Sequence, residues 1–268
     1  WSEQGVGDEI LFAGMVPDLL DAGAKVILEC DKRLIPLFER SFAGVEFFPW
    51  IDEPVSKPPR GGIDFQTRGG TLGRWLRPGL DAFPGRPSYL SVVEKRREEI
   101  RDRYRKDNDG LLVGIAWVSK NPKIGPRKSM SLMDFRPLTD IPGVTWFDLQ
   151  YGDTAAERAA FEKETGQAVL NDPDIDQMAD LDAFAAQVAA LDLVISVSNT
   201  TVHVAGALGV PAWVLLNTVP LPVWMLERND CPWYPSVKLF RQSKAREWTD
   251  VIDNAKNALA GFQSQGDA

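Results

Sequence analysis

Two patterns of apolar residues alternate along this chain. Short, nearly unbroken apolar runs read as buried strands. Longer segments, whose apolar residues return every three or four positions, read as amphipathic helices. Near the N-terminus DEILFAGMVPDLLDAG predicts a helix, with Pro17 inside it and Gly23 as its stop. AKVILEC predicts a strand, DKRLIPLFERSF a helix and GVEFFPW a strand. Residues 54–87 break the rhythm, because Pro, Gly and Arg dominate them around one short stretch, GGIDFQT. They read as loops that form one wall of a cleft. SVVEKRREEIRDRYRKD is a charged helix, and NDG ends it.

The alternation then resumes. LLVGIAWV is a strand that leads into a basic loop, SKNPKIGPRKSM. SLMDFRPLTDI (helix), VTWFDLQ (strand), TAAERAAFEKETG (helix) and QAVLND (strand) follow. DLDAFAAQVAAL (helix), DLVISV (strand), TTVHVAGALG (helix) and PAWVLL (strand) come next, and EWTDVIDNAKNALAGF closes the chain as a helix. Such alternation predicts α/β architecture with parallel sheets covered on both faces. A length of 268 residues suits two domains of roughly 100–150 residues each. The break at residues 107–110 divides them as 1–109 and 110–268. Only four residues precede the Gly5-Val6-Gly7 turn, whereas a strand has about 5–6. The first strand is therefore expected to be incomplete, with more protein upstream of Trp1.

Composition narrows the partners. The net charge is −8, which argues against a general nucleic-acid or anionic-membrane binder and requires a local basic pocket for any anionic ligand. No apolar run approaches the ~20 residues of a membrane span. Two cysteines, Cys30 and Cys231, make no disulfide framework or metal-ligand spacing, and suggest a reducing, cytoplasmic setting.

In sheets of this kind, ligands sit at the carboxyl ends of the strands. The stretch SVSNTTVHVAGALGVPAWVLL, residues 196–216, reads as the end of a strand, a turn, a helix and a strand. Ser198, Asn199, Thr200 and Thr201 are good N-cap types. The free N–H groups of the following turn suit a phosphate or diphosphate. His203, the chain's single histidine, falls in that first turn, and Gly206 and Gly209 allow close packing and a clean exit. Local chemistry leaves an ordinary helix start and a diphosphate site both open.

Other candidates are Lys120, Lys123, Arg127 and Lys128 in the basic loop, where fixed cations can stabilise a departing diphosphate. Gly5 and Gly7 form a lone G-x-G without the third glycine of a dinucleotide fingerprint. By spacing alone Asp8 caps the first helix, and Asp180 and Asp182 cap a later one. Trp224 and Trp233 can stack on a base or pack in the core. Arg228 can reach a phosphate or pair with Glu227 or Asp230. No cluster suggests a metal, and no nucleophile elbow accompanies His203.

WSEQGVGDEILFA, VGIAWVSKNP with RKSMSL, FDLQYGD, the 196–216 stretch and RNDCPWYPSVKLFRQ occur in one order over most of the chain. Together they resemble bacterial glycosyltransferases of the heptosyltransferase type. They are more similar still to the glycosyltransferase-like domain found behind tetratricopeptide repeats. The resemblance implies a GT-B-like fold: two doubly wound Rossmann-like domains facing a cleft, with a tetratricopeptide-repeat region upstream. It implies a hexosyl- or heptosyltransferase that moves sugar from a nucleotide-diphosphate sugar to a protein or cell-surface glycan. No cofactor is implied beyond that co-substrate, and no metal. Asp8 would be the base that takes the acceptor proton, with His203 and Lys128 as its catalytic companions. Lys120, Arg127, Ser129, Arg228 and residues 198–201 would hold the donor, Lys128-Ser129 matching the family's basic-Ser step. The heptosyltransferases commonly carry an acidic residue at the position of Ser198 or Asn199, so ADP-heptose does not carry over. A catalytically silent interaction module of the same fold, or a sugar-nucleotide epimerase, are the alternatives.

Overall fold

The structure is a computed structural model, and it describes Trp1 and residues 5–50, 62–106 and 108–266. Ser2 to Gln4 of the opening segment and Asp107 of the expected boundary lie outside the described residues. The first expected helix is two: α1 (Val6–Ala13) and α2 (Val16–Asp21). Backbone bonds tighten to three-residue spacing at Gly14 and Met15. Pro17 therefore lies in the first turn of a new helix, where its missing N–H costs nothing. Next come β1 (Ile27–Cys30), α3 (Ile35–Ser41) and β2 (Glu46–Pro49), the two strands pairing in parallel. After the loops come α4 (Gly73–Leu76) and α5 (Glu94–Arg105). Residues 62–67 of the stretch GGIDFQT form no regular element, and Gly61 lies outside the described residues.

The second half supplies β3 (Leu111–Ala116), α6 (Gly125–Lys128), α7 (Arg136–Thr139), β4 (Val144–Asp148) and α8 (Ala155–Thr165). It continues with β5 (Val169–Leu170), α9 (Leu181–Ala189), β6 (Leu193–Val197), α10 (Thr200–Leu208) and β7 (Ala212–Leu216). It ends with β8 (Val237–Arg241) and α11 (Thr249–Gly266). The six strands form one parallel sheet in the order β5-β4-β3-β6-β7-β8. The edge strand β8 escaped the sequence reading, because its short VKLFR run follows a stretch rich in Pro and Trp.

Strand period two sorts β3 between two cores. Leu112 and Ala116 face a cluster that includes Phe184, Val202 and Ala205, and this cluster runs on into the N-terminal half through Ile10, Leu37 and Phe38. Val113 and Ile115 face the other side, which α11 closes with Val251, Ile252, Ala255 and Leu259. Although it lies before residue 109, α5 packs against α9 of the second half. There Arg101 and Arg105 bracket Asp192 at 2.6 and 2.7 Å, and the Tyr104 ring stacks 4.0 Å from Phe147.

Chain order reverses between β3 and β6, and such a switch point opens a crevice at the strands' carboxyl ends. The helix leaving β6, α10, lies against α1 of the first half. Gly206 on α10 sits under Tyr234, where a Cβ would lie 2.5 Å from the ring's Cγ. Gly206→Ala is therefore expected to cost about 1–3 kcal/mol through overpacking. Gly261→Ala, in open space on α11, is expected to add about 0.5–1 kcal/mol. Urea unfolding of both variants checks the contrast.

Candidate functional site

The loops that leave β3 and β6 meet at the switch point, and one side chain joins them. Asn199 caps α10, its Oδ1 accepting from Thr201 N at 3.0 Å and from Ser196 Oγ at 3.2 Å. Its Nδ2 donates to Val118 O at 3.3 Å, in the loop after β3. Ser198 is buried and accepts from Trp224 Nε1 at 2.8 Å. Thr201 is buried, with Oγ1 3.5 Å from Leu149 O. Thr200 is half-buried and faces Gly7 of α1.

The basic loop is a folded hairpin of backbone rather than a solvated tail. Ser129 Oγ accepts from Ser119 N at 2.9 Å and donates to Gly125 O at 2.8 Å. A Cβ on Gly125 would lie 2.1 Å from Ser119 O, so only glycine lets the loop close. Lys120 lies over the Tyr151 ring at 5.1 Å, and Lys123 and Arg127 are exposed. Lys128 differs from all of these. It is only 7% exposed, and among the described residues its ammonium has no hydrogen bond or salt bridge. Burial pushes its pKa down, and the nearby Asp8 carboxylate opposes that shift.

Asp8 is not the cap of α1. Gly5 holds that position, and Asp8 stands three residues into the helix, its N–H donating to Gly5 O at 2.9 Å. Gly7 brings the first turns of α1 and α10 into contact. A Cβ there would come within 3.1 Å of His203 Cδ2 and 3.4 Å of Thr200 Oγ1. Two helix N-termini, each carrying partial positive charge, thus converge beside Lys128, with Asp8 as the neighbouring carboxylate.

His203 is buried in this contact, not displayed on the crevice wall. Its ring stacks on Trp224 at 5.3 Å, and Nδ1 lies 2.9 Å from Tyr234 Oη. Burial, and then the Lys128 charge, push its pKa down to about 3. At neutral pH it exchanges hydrogen bonds but adds no positive charge. Tyr89, packed 6.4 Å from Tyr234, donates to Ile10 O at 2.8 Å and extends the assembly to α1. Neither tyrosine was singled out in the sequence, since Tyr234 lies 31 residues beyond its histidine and no local pattern marks such a pair.

The remaining candidates lie elsewhere. Arg228 is held by Asp230 through two 2.7 Å bonds, as its pairing alternative predicts. Trp224 is fully buried, and Trp233 packs edge-on to Phe83 at 5.0 Å. Asp180 caps α9 through Ala183 N at 2.8 Å, whereas Asp182 pairs with Arg40. Cys30 and Cys231 are buried, unlinked thiols. Among the described residues, no group of His, Cys, Asp and Glu could hold a metal, and no helix is long and apolar enough to cross a membrane. Residues 62–67, Gly69 and Leu72 line a cavity of the N-terminal half with α1, α2 and β1.

No family model matches the chain. It is 33% identical to Protein FlbA of Caulobacter vibrioides over 283 aligned positions, which cover 97% of this chain. The chain spans 46% of that relative, about half its length. The crystal structure of the glycosyl transferase family 9 from Veillonella parvula superposes with a TM-score of 0.61 at 11% identity, over 98% of this chain and 90% of that one. The structure of E. coli ADP-heptose LPS heptosyltransferase II superposes with a TM-score of 0.50 at 15% identity, over 67% of this chain and 54% of that one. At these identities the likeness is one of fold: the chain has the GT-B-like α/β fold of the heptosyltransferase type.

The buried imidazole has a measurable consequence. In the unfolded chain it titrates near 6.5, but in the fold it takes a proton only near 3. Below pH 6.5 the unfolded state binds more protons, so the stability fully present above 6.5 is lost as pH falls. From pH 6.5 to 5, above the carboxylate range, this one group is expected to remove about 2 kcal/mol. Urea unfolding should show that slope in the parent and its absence in His203→Gln.

Proposed function

We propose that this chain is a glycosyltransferase domain that moves a sugar from a nucleotide-diphosphate sugar to a protein or glycan hydroxyl, without a catalytic metal. The observation that carries the reading is Lys128. A largely buried ammonium that makes no hydrogen bond among the described residues is costly, and this one, with the Asp8 carboxylate as its charged neighbour, stands beside two helix N-termini, an arrangement suited to an anion. The donor diphosphate would rest against the first turn of α10 and the Lys128 ammonium, with Lys120 and Arg127 at the rim. Asp8 would take the proton of the acceptor hydroxyl while its oxygen attacks the anomeric carbon and the sugar–phosphate bond breaks. The charge that grows on the leaving diphosphate would then meet fixed positive groups. His203, Ser198 and Asn199 would shape this site from behind, and an upstream repeat region would present the acceptor.

One observation favours a silent interaction module instead. The polar groups of Ser198, Asn199 and His203 are engaged internally, and Gly7 seats α1 directly on α10. A transferase of this design must part those two helices to admit its donor.

Two variants separate the readings. Lys128→Met is expected to raise stability by about 1 kcal/mol, because it removes a desolvated charge, while abolishing diphosphate binding. In the parent, a bound nucleoside diphosphate at ~100 times its Kd should add about 2.7 kcal/mol. Calorimetry with a panel of nucleoside diphosphates reads both effects, and silence across the panel favours the interaction module. Asp8→Asn is expected to keep donor affinity and fold while losing roughly 10²–10⁴-fold in turnover, the contribution of a general base. Near-normal turnover in a stable Asn variant removes Asp8 from the base role. Turnover that collapses in chelator removes the metal-free mechanism.

A further inference from the structure

The proton positions around His203 follow from a chain of hydroxyls that ends on the backbone of α1. Where α1 breaks, Gly14 N donates to Leu11 O at 3.2 Å rather than to the carbonyl four residues back. Ile10 O is left for another donor, and the Tyr89 hydroxyl supplies it at 2.8 Å. Gly14 makes room for that ring, because a Cβ there would lie 2.9 Å from Tyr89 Cε1. A carbonyl only accepts, so the single Tyr89 proton is committed to Ile10 O. The neighbouring hydroxyl belongs to Tyr234, whose ring stacks 6.4 Å from that of Tyr89. Tyr89 can therefore only accept from Tyr234. Burial raises the pKa of both tyrosines, and the hydrogen bond between them lowers that of Tyr89 while raising that of Tyr234, the sign of a Tyr234 donor. With its own proton spent, Tyr234 Oη can only accept from His203 Nδ1, 2.9 Å away.

The bond made at one ring nitrogen decides which nitrogen carries the proton. Burial, and then the Lys128 charge, keep the ring neutral, so a proton on Nδ1 leaves Nε2 bare. Trp224, stacked on the ring, brings it no proton, because its Nε1 donates to Ser198 Oγ at 2.8 Å. The Cδ2 side of the ring belongs to the α1–α10 junction, where a Cβ on Gly7 would come within 3.1 Å of Cδ2. We propose that Tyr89 and Tyr234 are positioning residues that lock His203 in its Nδ1–H form, so that Nε2 accepts a hydrogen bond from a ligand hydroxyl and refuses phosphate oxygens. An ionised diphosphate has no proton to give Nε2, and its contacts fall to Lys128 and the helix N–H groups. The hydroxyls of a sugar do carry one. The ligand half of this inference rests on the transferase reading, whereas the proton lock rests on the protein alone.

The chain's single histidine makes the test direct. With ¹⁵N-histidine incorporated, only one side chain reports, and nitrogen chemical shifts tell which ring nitrogen holds the proton. At about pH 8, where phosphates are fully ionised, the ligand-free parent is expected to show Nδ1–H and a bare Nε2. A bare Nδ1 in the parent overturns the lock, whatever the variants do. Tyr89→Phe takes away the acceptor of the Tyr234 proton, which is then free to turn to Nδ1. The imidazole is therefore expected to change to its Nε2–H form, although the altered residue makes no hydrogen bond to it. Tyr234→Phe, which leaves Nδ1 without an acceptor, should do the same. An imidazole still in the Nδ1–H form in a folded Tyr89→Phe variant overturns the proposal. On saturation with a nucleoside diphosphate the parent should stay Nδ1–H, and a proton moved to Nε2 overturns the refusal of phosphate. Tyr89→Phe, now offering an Nε2–H donor, should bind that diphosphate about tenfold more tightly. Unchanged or weaker binding also overturns it, because a merely structural role predicts no gain. If no nucleoside diphosphate binds either protein, the transferase reading fails and takes the ligand half with it, while the ligand-free spectra still decide the lock.

Discussion

The contact between the first turns of α1 and α10 is the constraint on which the arrangement depends. Both helix ends carry partial positive charge, and Lys128 adds a full charge beside them. Bringing them together requires three things at once. Gly7 must lack a Cβ, because any side chain would press on His203 and Thr200. His203 must stay neutral, as its burial ensures. The Asp8 carboxylate must supply the opposing field that Lys128 feels. A tightly closed junction of two helix N-termini, one ammonium and one carboxylate is what remains.

Around that junction the halves are joined chiefly by apolar packing. One buried cluster runs from Phe38 and Ile10 through Val202 to Leu112. Polar ties cross the same divide: Arg33 donates to Met178 O at 2.8 Å, Arg40 pairs with Asp182, and Arg96 lies 3.4 Å from Asp180. Such partly exposed pairs contribute little energy each. Their use is directional, since three arginines of the first half grip the turn that starts α9. The polar chain from His203 to Tyr234, with Tyr89 reaching Ile10 O, adds a second directional tie inside the core. Parting α1 from α10 would disturb this apolar seam, whereas sliding at the arginines would cost less.

What the sequence determined by itself was the order and type of most elements. Near-continuous apolar runs such as LVISV and AWVLL are strands, because a parallel sheet covered on both faces buries every one of their positions. The helix start at Asn199 was equally legible, since cap chemistry is local. So was the alternative pairing of Arg228 with a carboxylate two residues away. Asp8 was misassigned as a cap because spacing cannot separate a cap from a position three residues inside.

Tertiary structure decided everything that depends on partners distant in the chain. Four positively charged loop residues look alike in sequence, yet only Lys128 is folded inward, because Gly125 and Ser129 close the loop over it. His203 reads only as a first-turn residue near the expected ligand position until Trp224 and Tyr234 cover it. The edge strand β8 exists because β7 offers it a partner, a gain that no five-residue pattern can announce. The pairing of remote segments sets burial, burial sets charge state, and neither is a property of local spacing.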